Sequence, residues 1–236
     1  MRAPLRLAIT AATTIAVTAM TVLTGPPAAN AASAQLAADQ SRLNSLGCDA
    51  GTADGVSGAH TRAAAWRFQS ANGLSRDGII GPATRTAMHS LTAKRCDKRP
   101  VPLNSGTGRR IVVSQTHNWV WLVGSNGKAS AQGGIIDNPN VLSKGTYNSG
   151  PSCGGAAHIR HHVAVGGAIL DNFTRFAPCG IGFHRIPRSP SSGAQIHASW
   201  LLGTNQSQSH GCIRLSLTMS QLVWDFTASA TKVRVI

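Results

Sequence analysis

RRIVVSQTHNWVWLVGSNGKASAQGG, residues 109–134, is the stretch at which the chain stops reading as helix and begins to read as sheet. Its β-branched and aromatic residues fall in two short runs, and Asn126-Gly127 reads as the hairpin turn between 120–123 and the next strand. Towards the C-terminus, further strands are predicted at 133–136, 162–165, 182–186 and 232–236, with one helix at 219–228. This is the pattern of a β-rich domain, residues 109–236, carrying a little helix. Towards the N-terminus, DKRPVPLNSGTG (97–108) mixes proline, glycine and charge and reads as a linker. Before it the periodicity is helical. Ala37, Leu43 and Leu46 predict a helix ending at Gly47, Ala63 to Phe68 a second one stopped by Asn72-Gly73, and Pro82 the start of a third running to Leu91. The expected fold class is α+β multidomain: a small three-helix domain over residues 32–96, then the β-rich domain.

Residues 1–31 set the compartment. Arg2 and Arg6 precede an uncharged run from Leu7 to Leu23, and Ala29-Asn30-Ala31 is a small-x-small cleavage site, so the mature chain is expected to start at Ala32. No later segment is apolar for long enough to span a bilayer, and a secreted, wall-associated monomer without a transmembrane segment after signal cleavage is expected. Disulfides persist outside the cytoplasm, and five cysteines is an odd number. Cys48 and Cys96 bracket the helical unit, Cys153 and Cys179 lie in the second domain, and Cys212 is left over. Other pairings exist; this one keeps each bridge inside one domain. A three-helix unit buries little surface, so a bridge that closes it would help substantially.

The charge is lopsided, with 22 Lys+Arg against 8 acids, all of them aspartate. Such a surface attracts polyanions. The cations are scattered, however, and aromatics make up only 5% of the chain, which argues against stacking platforms for nucleic acid. An exported protein meets cell-wall polymers first.

SQSHGCIRL, residues 207–215, carries the chemistry. Cys212 follows His210 and Gly211, with Ser209 before and Arg214 after. A base or a positive field beside a thiol favours the nucleophilic thiolate. The glycine lets neighbouring backbone N–H groups turn towards one point, where an oxyanion would develop. Read alone, the tripeptide is more readily a turn holding a structural thiol, since free cysteines are commonly inert and buried.

Two family resemblances add to this. AWRFQSANGLSRDGIIGPATRTAM, residues 65–88, resembles the peptidoglycan-binding domain attached to many bacterial wall hydrolases, through Phe68-Gln69, Asn72-Gly73-Leu74, Asp77-Gly78 and Gly81-Pro82-Ala83-Thr84. Most of these are folding residues, with Trp66, Phe68 and Leu74 expected in the core. The resemblance implies peptidoglycan as partner and a tethered module that raises local substrate concentration, so that deleting residues 32–104 should spare turnover of a small soluble stem peptide.

The C-terminal half, residues 109–236, resembles the YkuD-like L,D-transpeptidase catalytic domain, which implies a β-sandwich-like fold with a short helix. The matching residues are His184, within Phe183-His184-Arg185-Ile186-Pro187, and Ser209, His210, Gly211, Cys212 and Arg214. The resemblance implies Cys212 as nucleophile and His184 as general base, with the backbone of His210 and Gly211 holding the oxyanion. Arg214 is expected to bind a substrate carboxylate or order the cysteine loop, with a structural salt bridge as the equal alternative. His197 is the rival base, but it lies in a Ser/Gly/Ala-rich stretch read as an inserted loop, 188–206, whereas a base needs a rigid element. The family's substrate segment is represented by Leu142 to Tyr147, with Tyr147 as the binding aromatic; its usual Thr-Pro is missing.

His158 and His162 have i, i+4 spacing, with His161 beside them, but no acidic ligand accompanies them and the segment is not helical in pattern. Neither a metal nor any other cofactor is expected. The implied reaction is cysteine-dependent: acylation of Cys212 by a tetrapeptide stem, then transfer to an amine of a neighbouring stem, cross-linking third residues. The alternatives are an L,D-carboxypeptidase or wall hydrolase using the same acyl-enzyme, or a non-catalytic wall-binding protein.

Overall fold

The computed structural model describes residues 28–236, apart from the side chains of residues 28–31 and of Cys179. The signal segment read from residues 1–31 therefore lies outside the described side chains. The helical unit consists of α1 (Ala28–Ser45), α2 (Ala59–Asn72) and α3 (Pro82–His89). Gly73 ends α2 in the left-handed region at φ 71°, and Pro82 opens α3, as the punctuation in the sequence predicts. Leu43, Leu46, Phe68 and Met88 pack round a Cys48–Cys96 disulfide. Trp66 is only half-buried, and the Arg76 guanidinium lies over its ring.

A repeat holds the connections of this unit. The pattern D-G-x-x-G-x-x-T occurs at Asp54–Thr61 and again at Asp77–Thr84. In each copy a buried glutamine on the preceding helix is the hub. Gln40 Nε2 donates to Asp54 Oδ1 (3.1 Å), Val56 O (3.0 Å) and Thr61 Oγ1 (3.0 Å), and Gln40 Oε1 accepts from Gly55 N–H (2.8 Å). Gln69 does the same with Asp77 (2.6 Å), Ile79 O (3.0 Å), Thr84 (3.1 Å) and Gly78 N–H (2.9 Å). Both glutamines satisfy loop groups that burial would otherwise leave unpaired.

The β-rich domain runs β1 (Arg110–Ser114), β2 (Trp119–Val123), β3 (Ala129–Gly134), β4 (Gly145–Asn148), β5 (His158–Val163), β6 (Ile169–Ala177), β7 (Ile181–Arg185), β8 (Ile213–Leu215), α4 (Leu217–Phe226) and β9 (Lys232–Val235). One sheet has the order β3-β2-β1-β9-β4 and the other β5-β6-β7-β8. Alternation along the strands sends Ile111, Val113, Val120, Leu122, Val233 and Val235 inward to meet Phe176, Phe183, Ile213 and Leu215 of the second sheet, with Met219 and Val223 of α4 closing the core. Among the described residues no helix is long and apolar enough to cross a membrane.

The first sheet is buried on its outer face as well. Val112, Trp119, Trp121 and Val123 form a second cluster, and Val101 packs on it. Here the linker reading of 97–108 needs correction, because the segment is docked. Arg99 is buried: its N–H donates to Gln132 Oε1 (2.7 Å), its carbonyl accepts from Trp121 Nε1 (3.0 Å), and its guanidinium lies 4.1 Å from the Trp119 ring. The same guanidinium donates to Ser70 Oγ (3.2 Å), Arg67 O (3.2 Å) and His117 O (3.1 Å), tying helical unit, connector and sheet together. Proline and charge mark a slack connector only where nothing buries them. Here two tryptophans do.

Candidate active site

The parallel pair β7/β8 sets the site. His184 and Arg214 are register partners, as are Phe183 and Ile213. Phe183 and Ile213 face the core, so alternation places His184 and Arg214 together on the other face, and Cys212, one residue before β8, falls on their side. These three line one cavity of about 460 Å³ with Ser209, His210, Leu170, Pro187 and Ile196. His197 is absent from that lining. It lies in the 188–206 loop, where burial and then Arg214 lower its pKa.

His184 is 2% exposed, and its Nδ1 sits 2.5 Å from Arg185 O. That carbonyl fixes the Nδ1–H tautomer and leaves Nε2 as the ring's acceptor. Burial is the main cause that pushes the imidazole down to about 4, with Arg214 and His162 adding to it against the Arg185 hydrogen bond. His184 is therefore neutral at physiological pH. The ring stacks on Phe173 at 6.4 Å, and Phe173 in turn meets His162 at 4.8 Å.

The Cys212 thiol donates to Gly180 O at 3.6 Å. Burial raises its pKa, only partly opposed by the Gly182 N–H and the Arg214 and Arg175 charges. Desolvation therefore outweighs the positive field of the flanking cations in setting the direction of the thiol's shift. Arg214 is 6% exposed, its pKa lowered by burial, and its Nη1 has no hydrogen-bond partner among the described residues. A buried, unpaired N–H on the cavity wall is a ready donor to a carboxylate.

Gly211 has φ +129°, and a Cβ there would lie 2.8 Å from Val141 Cγ1, so the position admits only glycine. Its N–H, expected to face an oxyanion, donates instead to Ser209 Oγ at 3.0 Å. Ser209 thus braces the turn that leads into Cys212. Its own N–H donates to Asp137 O (3.2 Å), and its carbonyl accepts from Asn138 Nδ2 (2.8 Å). His210 is exposed at the cavity rim.

Tyr147 does not reach this cavity. It belongs to the first sheet, where its ring packs edge-on against Phe176 and its hydroxyl donates to Ser143 O (2.8 Å). The three clustered histidines lie on strand β5, where residues alternate faces, and each has its own partner. His158 Nε2 pairs with Thr227 Oγ1 (2.9 Å), His161 Nδ1 with Asp171 Oδ1 (2.8 Å), and His162 packs on Phe173. The expected Cys153–Cys179 bridge involves a side chain, Cys179, outside those described.

Two aspartates escape a sequence reading because their partners are distant in the chain. Asp171 accepts from Arg188 (2.6 and 3.0 Å), and these bonds, with His161, hold it down to about 2 while anchoring the segment after His184. Asp137 is the opposite case. It is buried, accepts from Asn118 Nδ2 (3.0 Å) at Oδ1, has no partner at Oδ2 among the described residues, and burial pushes it up to about 6.

Asp137 and His184 pull stability in opposite directions with pH. An unfolded carboxyl titrates near 3.9, so between about 4 and 6 the folded chain binds more protons at Asp137, and stability falls as pH rises. For His184, with an unfolded pKa of about 6.5, the unfolded chain binds more protons over nearly the same window, and stability rises with pH. Asp137→Asn leaves the second effect unopposed. Thermal melts should show the variant gaining stability from pH 4 to 6 relative to wild type, by an amount on the order of 2–3 kcal/mol; identical pH slopes for the two proteins would contradict the burial assigned to Asp137.

The solved structures that the chain resembles include an L,D-transpeptidase from Xylanimonas cellulosilytica (23% identity over 86% of this chain and 93% of that one, TM-score 0.49). Another is from Stackebrandtia nassauensis (20% identity, 86% and 90%, TM-score 0.43), and a third from Mycobacterium smegmatis (16% identity, 56% and 59%, TM-score 0.42). No curated protein matches the chain. Residues 33–88 match the family described as "Putative peptidoglycan binding domain", which therefore stands N-terminal to the β-rich domain that holds Cys212.

Proposed function

We propose that the protein is a cysteine-dependent L,D-transpeptidase of peptidoglycan stem peptides. The observation that carries this is the joint placement of Cys212, His184 and Arg214 on one cavity wall, in a chain whose N-terminal unit matches a wall-binding family. His184 Nε2 takes the thiol proton as Cys212 Sγ attacks the amide carbonyl between the third and fourth residues of a tetrapeptide stem. Burial raises the thiol's pKa and lowers that of the imidazole, which favours general-base attack over attack by a stored thiolate. Arg214 Nη1 receives a stem carboxylate. With the Gly211 N–H held by Ser209, the oxyanion draws on the other N–H donors of the turn.

The C–N bond then breaks, the imidazolium returns its proton to the departing D-alanine amine, and a thioester remains. A neighbouring stem's amine attacks that thioester, loses its proton to His184 and releases the thiol. One amide is exchanged for another, so no external energy source is needed. The test is to incubate the full chain with a soluble tetrapeptide stem and weigh the products. Cross-linked dimer with free D-alanine is expected; tripeptide alone assigns the protein as a carboxypeptidase, and unchanged substrate contradicts both.

A further inference from the structure

Arg67 lies on α2 and is 5% exposed, yet it reaches across to the catalytic domain. Within its own unit, Nε and Nη2 donate to Cys48 O at 2.8 and 2.6 Å, and Nη2 to Asp49 O at 2.7 Å. Nη1 crosses the boundary and donates to the carbonyls of Trp200 and Leu202, the latter at 3.2 Å. The Asp49 carboxylate is 3.8 Å away and 64% exposed, so it compensates little. Burial pushes the guanidinium down to about 10. A charge buried against carbonyls is costly, and one use that justifies such a cost is fixing a geometry.

The geometry fixed here is that of the 196–209 segment. His60 stacks on Trp200 at 5.4 Å. Gly203 follows at φ +83°, where a Cβ would lie 3.1 Å from Arg67 Cδ, and its N–H donates to Ile135 O at 3.0 Å. On one side of this clamp Ile196 walls the Cys212 cavity; on the other the chain passes through buried Thr204 to Ser209 and the nucleophile turn.

We propose that Arg67 is a positioning residue, through which the wall-binding unit shapes the catalytic cavity itself. The unit is then part of the active-site architecture and more than a tether. Deleting residues 32–104 should accordingly impair turnover of a small soluble stem peptide, contrary to the tether expectation. The proposal rests on Cys212 being the reactive centre, but its first readout does not require turnover.

Hydrogen exchange in full-length Arg67→Ala should accelerate over residues 196–209 while residues 111–123 keep wild-type protection. With a soluble tetrapeptide, kcat/KM should drop about tenfold to hundredfold, the scale of a small misplacement of reacting groups. Arg67→Lys should fall between, since an ammonium keeps the charge but cannot reach all of these carbonyls at once. His60→Ala should move the same segment in the same direction, by less. Wild-type exchange over 196–209 in Arg67→Ala overturns the proposal. If Arg67→Ala loses protection at 111–123 as well, His60→Ala becomes the deciding variant, and unchanged exchange over 196–209 in it overturns the proposal. Loss of the proposed reaction in wild type would leave this exchange measurement standing.

Discussion

Cys212→Ala is expected to abolish turnover of the tetrapeptide stem while leaving the melting behaviour close to wild type. The thiol donates a weak hydrogen bond to Gly180 O at 3.6 Å, and the Gly182 N–H lies against the sulfur. Removing the thiol costs little packing, about 1 kcal/mol or less by the usual scale for such changes. The chemistry has no substitute. Ser209 Oγ is the nearest hydroxyl in sequence, and it is occupied by the Gly211 N–H at 3.0 Å. Serine at position 212 would be a useful companion variant, because it preserves shape while replacing the thiol by a far weaker acid. Retained turnover in Cys212→Ala would end the cysteine mechanism.

His184→Ala is expected to slow acylation by roughly 10²–10⁴-fold, the ordinary contribution of a positioned general base. The pH profile separates this role from a structural one. A base with its pKa pushed to about 4 stays active across the neutral range, so the wild-type acylation rate should fall only as pH approaches about 4. That acid limb should vanish in His184→Ala, leaving a low rate that rises with thiol ionisation. A merely structural His184 would leave the limb in place while the variant melts earlier. His197→Ala should keep most of the rate, since that ring does not line the cavity.

The elements that a local signal specifies were readable in the chain. Gly73 ends α2 and Pro82 starts α3 where such residues should, and Asn126-Gly127 joins β2 to β3 with Gly127 at φ +78°. Strand β6 was not readable, although it is the longest. Asp171-Asn172 interrupts its apolar pattern, Asn172 takes φ +54°, and Asp171 is held by arginines far along the chain. Strand β8 has only three residues and exists because β7 pairs with it.

For the site, the local string around Cys212 supplied four of the cavity residues, Ser209, His210, Cys212 and Arg214, and the preference for a rigid strand over the 188–206 loop singled out His184, which lines the same cavity where His197 does not. The electrostatics were not legible. The flanking His210 and Arg214 suggest a thiolate, but burial raises the thiol's pKa, and burial belongs to the folded chain. The same holds for Arg67 and Arg99, which read as surface charges until the domains close over them. The D-G-x-x-G-x-x-T repeat stands in the sequence; its meaning appears only when Gln40 and Gln69 are seen at the two hubs.

The most direct measurement is the intact mass of the protein quenched in acid during turnover of the tetrapeptide, followed by mapping of the adduct. A thioester at Cys212 should leave the chain heavier by a tripeptide acyl group, confined to the proteolytic fragment that contains Cys212 and removable by hydroxylamine. Turnover with no such adduct, or an adduct on another residue, would contradict the account.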